Sequence, residues 1–107
     1  IGSLEQLIKN AINQFPKTPI IVEVESLKEL RSALLMKGIK RILCDNFSLH
    51  DLREAVKISK GIYPLEASGG ITETNIMDYA KTGVDYISIG SITKDIKSID
   101  LSLRFCS

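Results

Sequence analysis

The sequence predicts an α/β fold with parallel strands. Apolar residues recur at helical spacing in some stretches and as short β-branched runs in others, and the two patterns alternate strictly as α-β-α-β-α-β-α-β along 107 residues. No linker, low-complexity stretch or charge run interrupts the alternation. Strands separated by helices pair in parallel through right-handed crossovers. The strands read as apolar on both faces, as a sheet covered by helices requires.

Leu4, Leu7, Ile8, Ala11, Ile12 and Phe15 mark the first helix, with Ser3 as its N-cap and Pro16 as its stop. Pro19 introduces the first strand, Ile20 to Glu25. Ser26 caps the second helix, with Glu29 as its capping-box partner and Leu27, Leu30, Ala33 and Leu34 as its apolar face. Gly38 ends it, and Arg41 to Cys44 form the second strand. Ser48 opens a third helix through Leu49, Leu52, Ala55 and Val56, closed at Gly61. Ile62 to Ala67 read as the third strand. Thr72 caps a fourth helix with Ile76, Met77 and Ala80 inward and Gly83 at its end. Tyr86 to Ile89 form the fourth strand, and Ile96, Ile99, Leu101 and Leu103 punctuate a short tail.

Two architectures suit this order, an open doubly wound sheet and part of a β/α barrel. An open sheet places its phosphate-binding glycines after the first strand. Here Gly69-Gly70 follow the third strand and Gly90 the fourth, which favours the barrel. Four βα units cannot close a barrel of about eight strands. The expected architecture is therefore a partial β/α barrel, the C-terminal half of a TIM-like barrel. The chain begins at Ile1 rather than Met, one residue before the first helix, and is read as a fragment.

Composition narrows the function. Fourteen Lys+Arg against thirteen Asp+Glu leave a net charge of +1, which gives no support to attraction by nucleic acid or anionic lipid. No apolar run approaches the ~18 residues of a membrane span, and no signal-peptide pattern is present. Cys44 and Cys106 are too few for a disulfide scaffold or a four-ligand zinc site. A reducing cytoplasmic setting follows as the expectation.

The working edge of a parallel β/α sheet lies at the C-terminal ends of its strands. The polar residues there are Glu23 and Glu25, Asp45 and Asn46, Glu66 and Ser68, and Ser88 and Gly90. Glu23, Asp45, Glu66 and Ser88 recur at spacings of 22, 21 and 22 positions, which would return each to one layer and set three carboxylates side by side. Glu23 stands between Val22 and Val24, where a charge is costly without a partner. Clustered carboxylates need a cation, and Mg²⁺ with a phosphorylated ligand suits them. The same field would favour a cationic transition state. Glu25, beside the Ser26 cap, is read first as a structural acid.

Ser68-Gly69-Gly70 lies between a strand and a helix, and Gly90-Ser91 repeats the arrangement one strand later. Such loops bring backbone N–H groups to an anion, here a sugar phosphate. His50 reads as a solvated residue, Cys44 as core and not a nucleophile, and Met36 and Met77 as core or interface filler. Tyr63, Tyr79 and Tyr86 form no stacking platform, and Lys94 and Lys97 stand within reach of the Gly90 loop.

Val22-Glu23-Val24-Glu25-Ser26, Leu43-Cys44-Asp45-Asn46-Phe47-Ser48, Leu65-Glu66-Ala67-Ser68-Gly69-Gly70-Ile71 and the run from Thr82 to Thr93 together resemble the C-terminal barrel of quinolinate phosphoribosyltransferase. The closing Ile99-Asp100-Leu101-Ser102-Leu103 is similar to that family's last segment. The resemblance covers nearly the whole chain, in order. It implies a glycosyltransferase (pentosyltransferase) of NAD biosynthesis that joins phosphoribosyl pyrophosphate to quinolinate with loss of CO₂ and needs Mg²⁺. It also implies that Glu23 and Asp45 are catalytic and face the ribose and the metal. Ser68, Gly69, Gly70, Gly90 and Ser91 would hold the 5′-phosphate, and Glu66 would line the same mouth.

This sequence departs from the family in carrying Cys44 at a usually aliphatic position and Lys94 where His or Gln is common. The cations that grip quinolinate belong, in the family, to earlier strands and an N-terminal domain absent from these residues. The remainder of its own chain and a homodimer are therefore the implied partners, and the fragment alone is expected to be inactive. Two competing readings are another sugar-phosphate barrel enzyme and a non-catalytic phosphate-binding half-barrel. The first would need a general acid–base pair at the strand ends.

Overall fold

A computed structural model describes residues 3–89 and 101–105. Helix α1 (Ser3–Gln14), strand β1 (Ile20–Val24), helix α2 (Leu27–Leu34), strand β2 (Arg41–Asp45), helix α3 (Leu49–Ser59), strand β3 (Leu65–Ser68), helix α4 (Ile76–Ala80) and strand β4 (Tyr86–Ile87) alternate as the periodicity predicts. A further strand, β5 (Leu101–Arg104), lies in what the sequence presented only as a tail. All five strands pair in parallel, in the order β4-β3-β2-β1-β5. From β1 to β4 each strand is laid beside its predecessor with no reversal. Right-handed crossovers then keep successive helices on one side, which is barrel winding. A doubly wound sheet would need a switch point, and none occurs along these four strands.

Residue chemistry explains the local boundaries. The Ser26 hydroxyl accepts from Glu29 N–H at 3.1 Å, and Glu29 Oε1 accepts from Glu25 N–H at 2.7 Å, so the predicted capping pair is formed with a reach one residue further back. Ser48 caps α3 through Asp51 N–H at 3.0 Å. β3 starts at Leu65, three residues later than its apolar run suggests. A turn at Gly61 (φ +77°) occupies the start of that run, and Pro64 has no N–H for the ladder. α4 likewise starts at Ile76 and not beside Thr72, because Asn75 Oδ1 takes the Thr72 N–H at 2.7 Å in a turn that precedes the helix. Met77 and Ala80 face outward, contrary to the expected apolar face of this helix.

The two faces of the sheet differ sharply. Ile20, Val22, Val24, Ile42, Cys44, Leu65 and Ala67 are buried on one face with Leu4, Ile8, Leu30, Ala33, Leu52 and Ala55 of the helices. Strand alternation sends Glu23, Arg41, Leu43, Asp45, Glu66 and Ser68 to the other face, where each is only partly buried. The expectation of strands apolar on both faces is thus corrected. The helices line up on one side, and the opposite face carries mostly polar side chains together with Ile21 and Leu43.

Cys44 sits in the core with no exposed surface, and burial pushes its thiol up to about 12. In a Cys106→Ser background, the native protein at pH 8 should therefore resist a thiol-specific chromogenic reagent until denaturant is added. Rapid stoichiometric labelling of the native chain would contradict this placement. The raised value also has a sign: folding protects the neutral thiol, so this contribution is full below the unfolded value near 9 and is lost as pH rises through 12.

Candidate active site

The polar face carries two networks, each built on one guanidinium. Register places Arg104, Glu23, Leu43, Glu66 and Tyr86 in one row across the five strands, with Asp45 and Ser68 paired in the next row towards the strand ends. Arg104 lies between three acids. Its Nη2 meets Glu23 Oε1 at 2.6 Å and Asp45 Oδ2 at 3.0 Å, and its Nη1 meets Glu25 Oε1 at 2.5 Å. The Ser102 hydroxyl donates to Glu23 Oε2 at 2.5 Å, and the Ser68 hydroxyl donates to Asp45 Oδ1 at 3.2 Å. Side-chain hydrogen bonds to Glu23 first, then to Asp45, push the Arg104 guanidinium pKa above its already high value. Formally, three carboxylates against one guanidinium leave two negative charges in excess in this cluster.

Glu66 belongs to the second network. Arg41 Nε approaches Glu66 Oε1 at 2.9 Å, the Ser88 hydroxyl donates to Glu66 Oε2, and the Arg41 guanidinium lies 4.7 Å from the centre of the Tyr86 ring. Both Glu66 oxygens are therefore engaged, at a side chain only 14% exposed. The three carboxylates expected side by side divide into a pair and an outlier. Arg104 draws Glu23 and Asp45 together across their rows, whereas Arg41 and Ser88 hold Glu66 two strands from Glu23, and register adds an offset. Glu23 pairs with Leu43, 20 positions on, and Leu43 with Glu66, 23 positions on. Near-equal sequence spacing concealed unequal loops, and Asp45 rises one row above the other two acids.

The loop after β3 is shaped by glycine. Gly69 and Gly70 have φ of +91° and +68°, and a Cβ on Gly69 would overlap the side-chain amide of Asn46 and stand 3.0 Å from its backbone nitrogen. Asn46 itself is left-handed (φ 58°), and its N–H donates to Ser68 O at 2.9 Å. Asn75 Nδ2 donates to Gly70 O at 3.0 Å, fastening the far side of the loop. Gly90, Ser91, Lys94 and Lys97 lie outside the described residues. His50 is exposed, as expected for a solvated residue.

Sequence reasoning missed Arg104, Arg41 and Asn75 as site-shaping residues. Arg41 shares strand parity with Asp45, and Ser102 and Arg104 alternate with Leu101 and Leu103, a period-2 signal. Nothing local indicates that Arg104 reaches acids 59 to 81 positions away.

Comparison with known proteins decides the family. The family described as quinolinate phosphoribosyl transferase, C-terminal domain, matches residues 1–104. The chain belongs to this family. It is 46% identical over 91 residues to a probable nicotinate-nucleotide pyrophosphorylase (carboxylating) of Methanocaldococcus jannaschii, covering 78% of this chain and 32% of that protein. The corresponding Mycobacterium leprae enzyme is 35% identical over 106 residues, covering 96% of this chain and 37% of that protein. The solved nicotinate-nucleotide pyrophosphorylase of Francisella tularensis superposes with a TM-score of 0.78 at 41% identity, covering 92% of this chain and 35% of that one. The chain thus spans about a third of the length of the relatives it matches.

The polar sheet face of this quinolinate phosphoribosyl transferase C-terminal domain gathers the candidate site residues among those described. Among the described residues, no three His, Cys, Asp or Glu side chains are arranged to hold a metal ion, and no helix is long and apolar enough to cross a membrane. Mg²⁺ does not require three protein ligands. It is commonly held by one or two carboxylates together with substrate phosphates and water. Glu23 and Asp45, hard oxygen donors that already share one cationic nitrogen, fit that mode.

Proposed function

We propose that residues 1–107 are the C-terminal part of a β/α-barrel phosphoribosyltransferase domain. Its complete protein transfers phosphoribosyl from phosphoribosyl pyrophosphate to quinolinate. The pyridine nitrogen forms a bond to the ribose anomeric carbon as the bond from that carbon to pyrophosphate breaks. The bond between the ring carbon next to that nitrogen and its carboxylate then breaks, CO₂ leaves, and a proton from water replaces it to give nicotinate mononucleotide. The convergence of Glu23 and Asp45 on one cation carries this reading. Charge that builds on the ribose ring as pyrophosphate departs is offset by these fixed negative groups.

Glu23 and Asp45 are the residues that would hold Mg²⁺, which when bound neutralises pyrophosphate charge. Ser68 orients Asp45 through its hydroxyl, and the Gly69-Gly70 turn offers a close backbone approach to the 5′-phosphate. Gly90 and Ser91 are assigned to the same phosphate by family resemblance alone. Glu66, held by Arg41 and Ser88, lines the face below that loop and ties β2, β3 and β4 together.

The acceptor's two carboxylates need cations from the rest of the protein, since Arg41 and Arg104 are both committed to acids. Leu7, Phe15, Leu35 and Ile62 are more than half exposed or close to it, apolar surface that suits cover by the remainder of the chain, in a cytoplasmic homodimer.

Isothermal titration with Mg²⁺–phosphoribosyl pyrophosphate tests this reading. Binding by the complete protein that is lost in the Glu23→Gln, Asp45→Asn double variant is expected. Absence of binding even by the complete protein would overturn it, and turnover of quinolinate by the 107 residues alone would misplace the acceptor site.

A further inference from the structure

Arg41 stands well inside the sheet, on β2, and the acid it meets stands on β3. Both strands are paired on each side. Register sets Arg41 opposite Ile21, two positions before Leu43, and Leu43 pairs with Glu66. Arg41 therefore starts one side-chain layer below Glu66 and reaches up and across. Its Nε approaches Glu66 Oε1 at 2.9 Å, and its guanidinium lies 4.7 Å from the centre of the Tyr86 ring on β4. One side chain thus spans three strands beneath the strand ends.

Ser88 meets Glu66 from the other side. It stands two positions beyond Tyr86, the register partner of Glu66, and its hydroxyl donates to Glu66 Oε2. Glu66 is thus fixed from below by a cation and from above by a hydroxyl. Its side chain is 14% exposed and that of Arg41 21%. At that burial a lone carboxylate is costly, and its field is poorly screened. Glu66 also stands three residues before Gly69, about 10 Å along an extended strand. Ser88 stands two residues before Gly90. A bare charge on Glu66 would repel a phosphate held by the loops that follow. Glu23, Glu25 and Asp45 are gathered on Arg104 instead.

We propose that Arg41 is a positioning residue of the phosphoribosyl site: it cancels the charge of Glu66, so that Glu66 can fix Ser88 below the second glycine loop without repelling the substrate's phosphate. This rests on the assignment of the two glycine loops to the 5′-phosphate. Glu66 supplies the acceptor that Ser88 needs, and Arg41 removes the electrostatic penalty of placing that acceptor below an anion. A flat guanidinium meets the carboxylate and the Tyr86 ring together, which an ammonium group does less well.

Steady-state kinetics of the complete protein test the pair. Arg41→Leu leaves Glu66 uncompensated, and KM for phosphoribosyl pyrophosphate should rise roughly three- to tenfold, the scale of one unit charge about 10 Å away in a partly screened site. KM for quinolinate and kcat should change less than that. Glu66→Gln keeps an acceptor for Ser88 and leaves Arg41 uncompensated, so KM for phosphoribosyl pyrophosphate should fall. The double variant should recover most of the loss caused by Arg41→Leu, and Arg41→Lys should lie between Arg41→Leu and the unsubstituted protein. A packing role gives the reverse pattern, in which both single variants raise KM and the double variant is no better than Arg41→Leu. That pattern, or an unchanged KM in Arg41→Leu, would overturn the proposal. Where Arg41→Leu does not fold, the sign of the change in Glu66→Gln decides alone. Absence of turnover by the unsubstituted complete protein would instead remove the phosphoribosyl reading, and this proposal with it.

Discussion

Glu23→Gln in the complete protein should lower kcat/KM by roughly 10²–10³, the scale of losing one fixed electrostatic group at a reacting centre. The substitution keeps the shape and exchanges a carboxylate for an amide. Glu23 lies within β1 between Val22 and Val24, both without exposed surface, so its side chain has one direction available and cannot relax away from the site. Its two oxygens are oriented by Arg104 and Ser102. The negative charge itself is what is lost. On the proposed reading, which takes the acceptor's cations from the rest of the protein, KM for quinolinate should barely change while kcat falls.

Glu25→Gln is the comparison. Glu25 follows the end of β1 with a side chain 57% exposed, and its backbone N–H serves the α2 cap. A change below about threefold is expected there, as for a screened surface pair. Steady-state kinetics on the two variants settle the matter. If Glu23→Gln retained more than a third of the native kcat/KM, the catalytic role assigned to it would fail.

Gly69→Ala should destabilise the chain by about 2–4 kcal/mol, with Gly70→Ala costing only about 1–2 kcal/mol. Both glycines hold positive φ, so both alanines suffer backbone strain. Only Gly69 adds a collision. Its new methyl would meet Asn46, whose side chain has little freedom because its own backbone is left-handed and tied to Ser68 O. A Cβ on Gly70 meets nothing within 4 Å.

Relief would require Asn46 to shift, and Asp45 immediately precedes it in the chain. Gly69→Ala should therefore disturb Asp45 and its hydrogen bond from Ser68 as well. Urea unfolding of both variants gives the two costs, and equal losses would show that the contact with Asn46 is not tight.

These two sites illustrate how much could be read without the structure. Glu23 was legible because a lone acid inside an apolar β-branched run contradicts its surroundings, and such contradictions mark places where a partner must exist. Gly69 was legible as a turn, since glycine supplies φ values that other residues avoid. Its collision partner was not, because Asn46 approaches from a different βα unit. The level of Asp45 was misread for a related reason. Its spacing from Glu23 and Glu66 suggested a common layer, but the loops between strands differ in length and the register sets it one row above both.

The sequence by itself determined the order of elements as far as β4, the parallel sheet, the barrel-type winding and the motifs of the family. All of these rest on local information: hydrophobic period, capping residues, glycine positions and short ordered motifs. Tertiary structure alone decided that the helices leave one sheet face mostly polar, that Glu23 and Asp45 meet while Glu66 turns to Arg41, and that Arg104 stands among the acids. Each of these depends on strand register or on the pairing of β5 with β1, contacts between residues some twenty to eighty positions apart. Local patterns specify which residues can form a strand. Hydrogen bonding across strands, under the lengths of the connecting loops, specifies which side chains face one another.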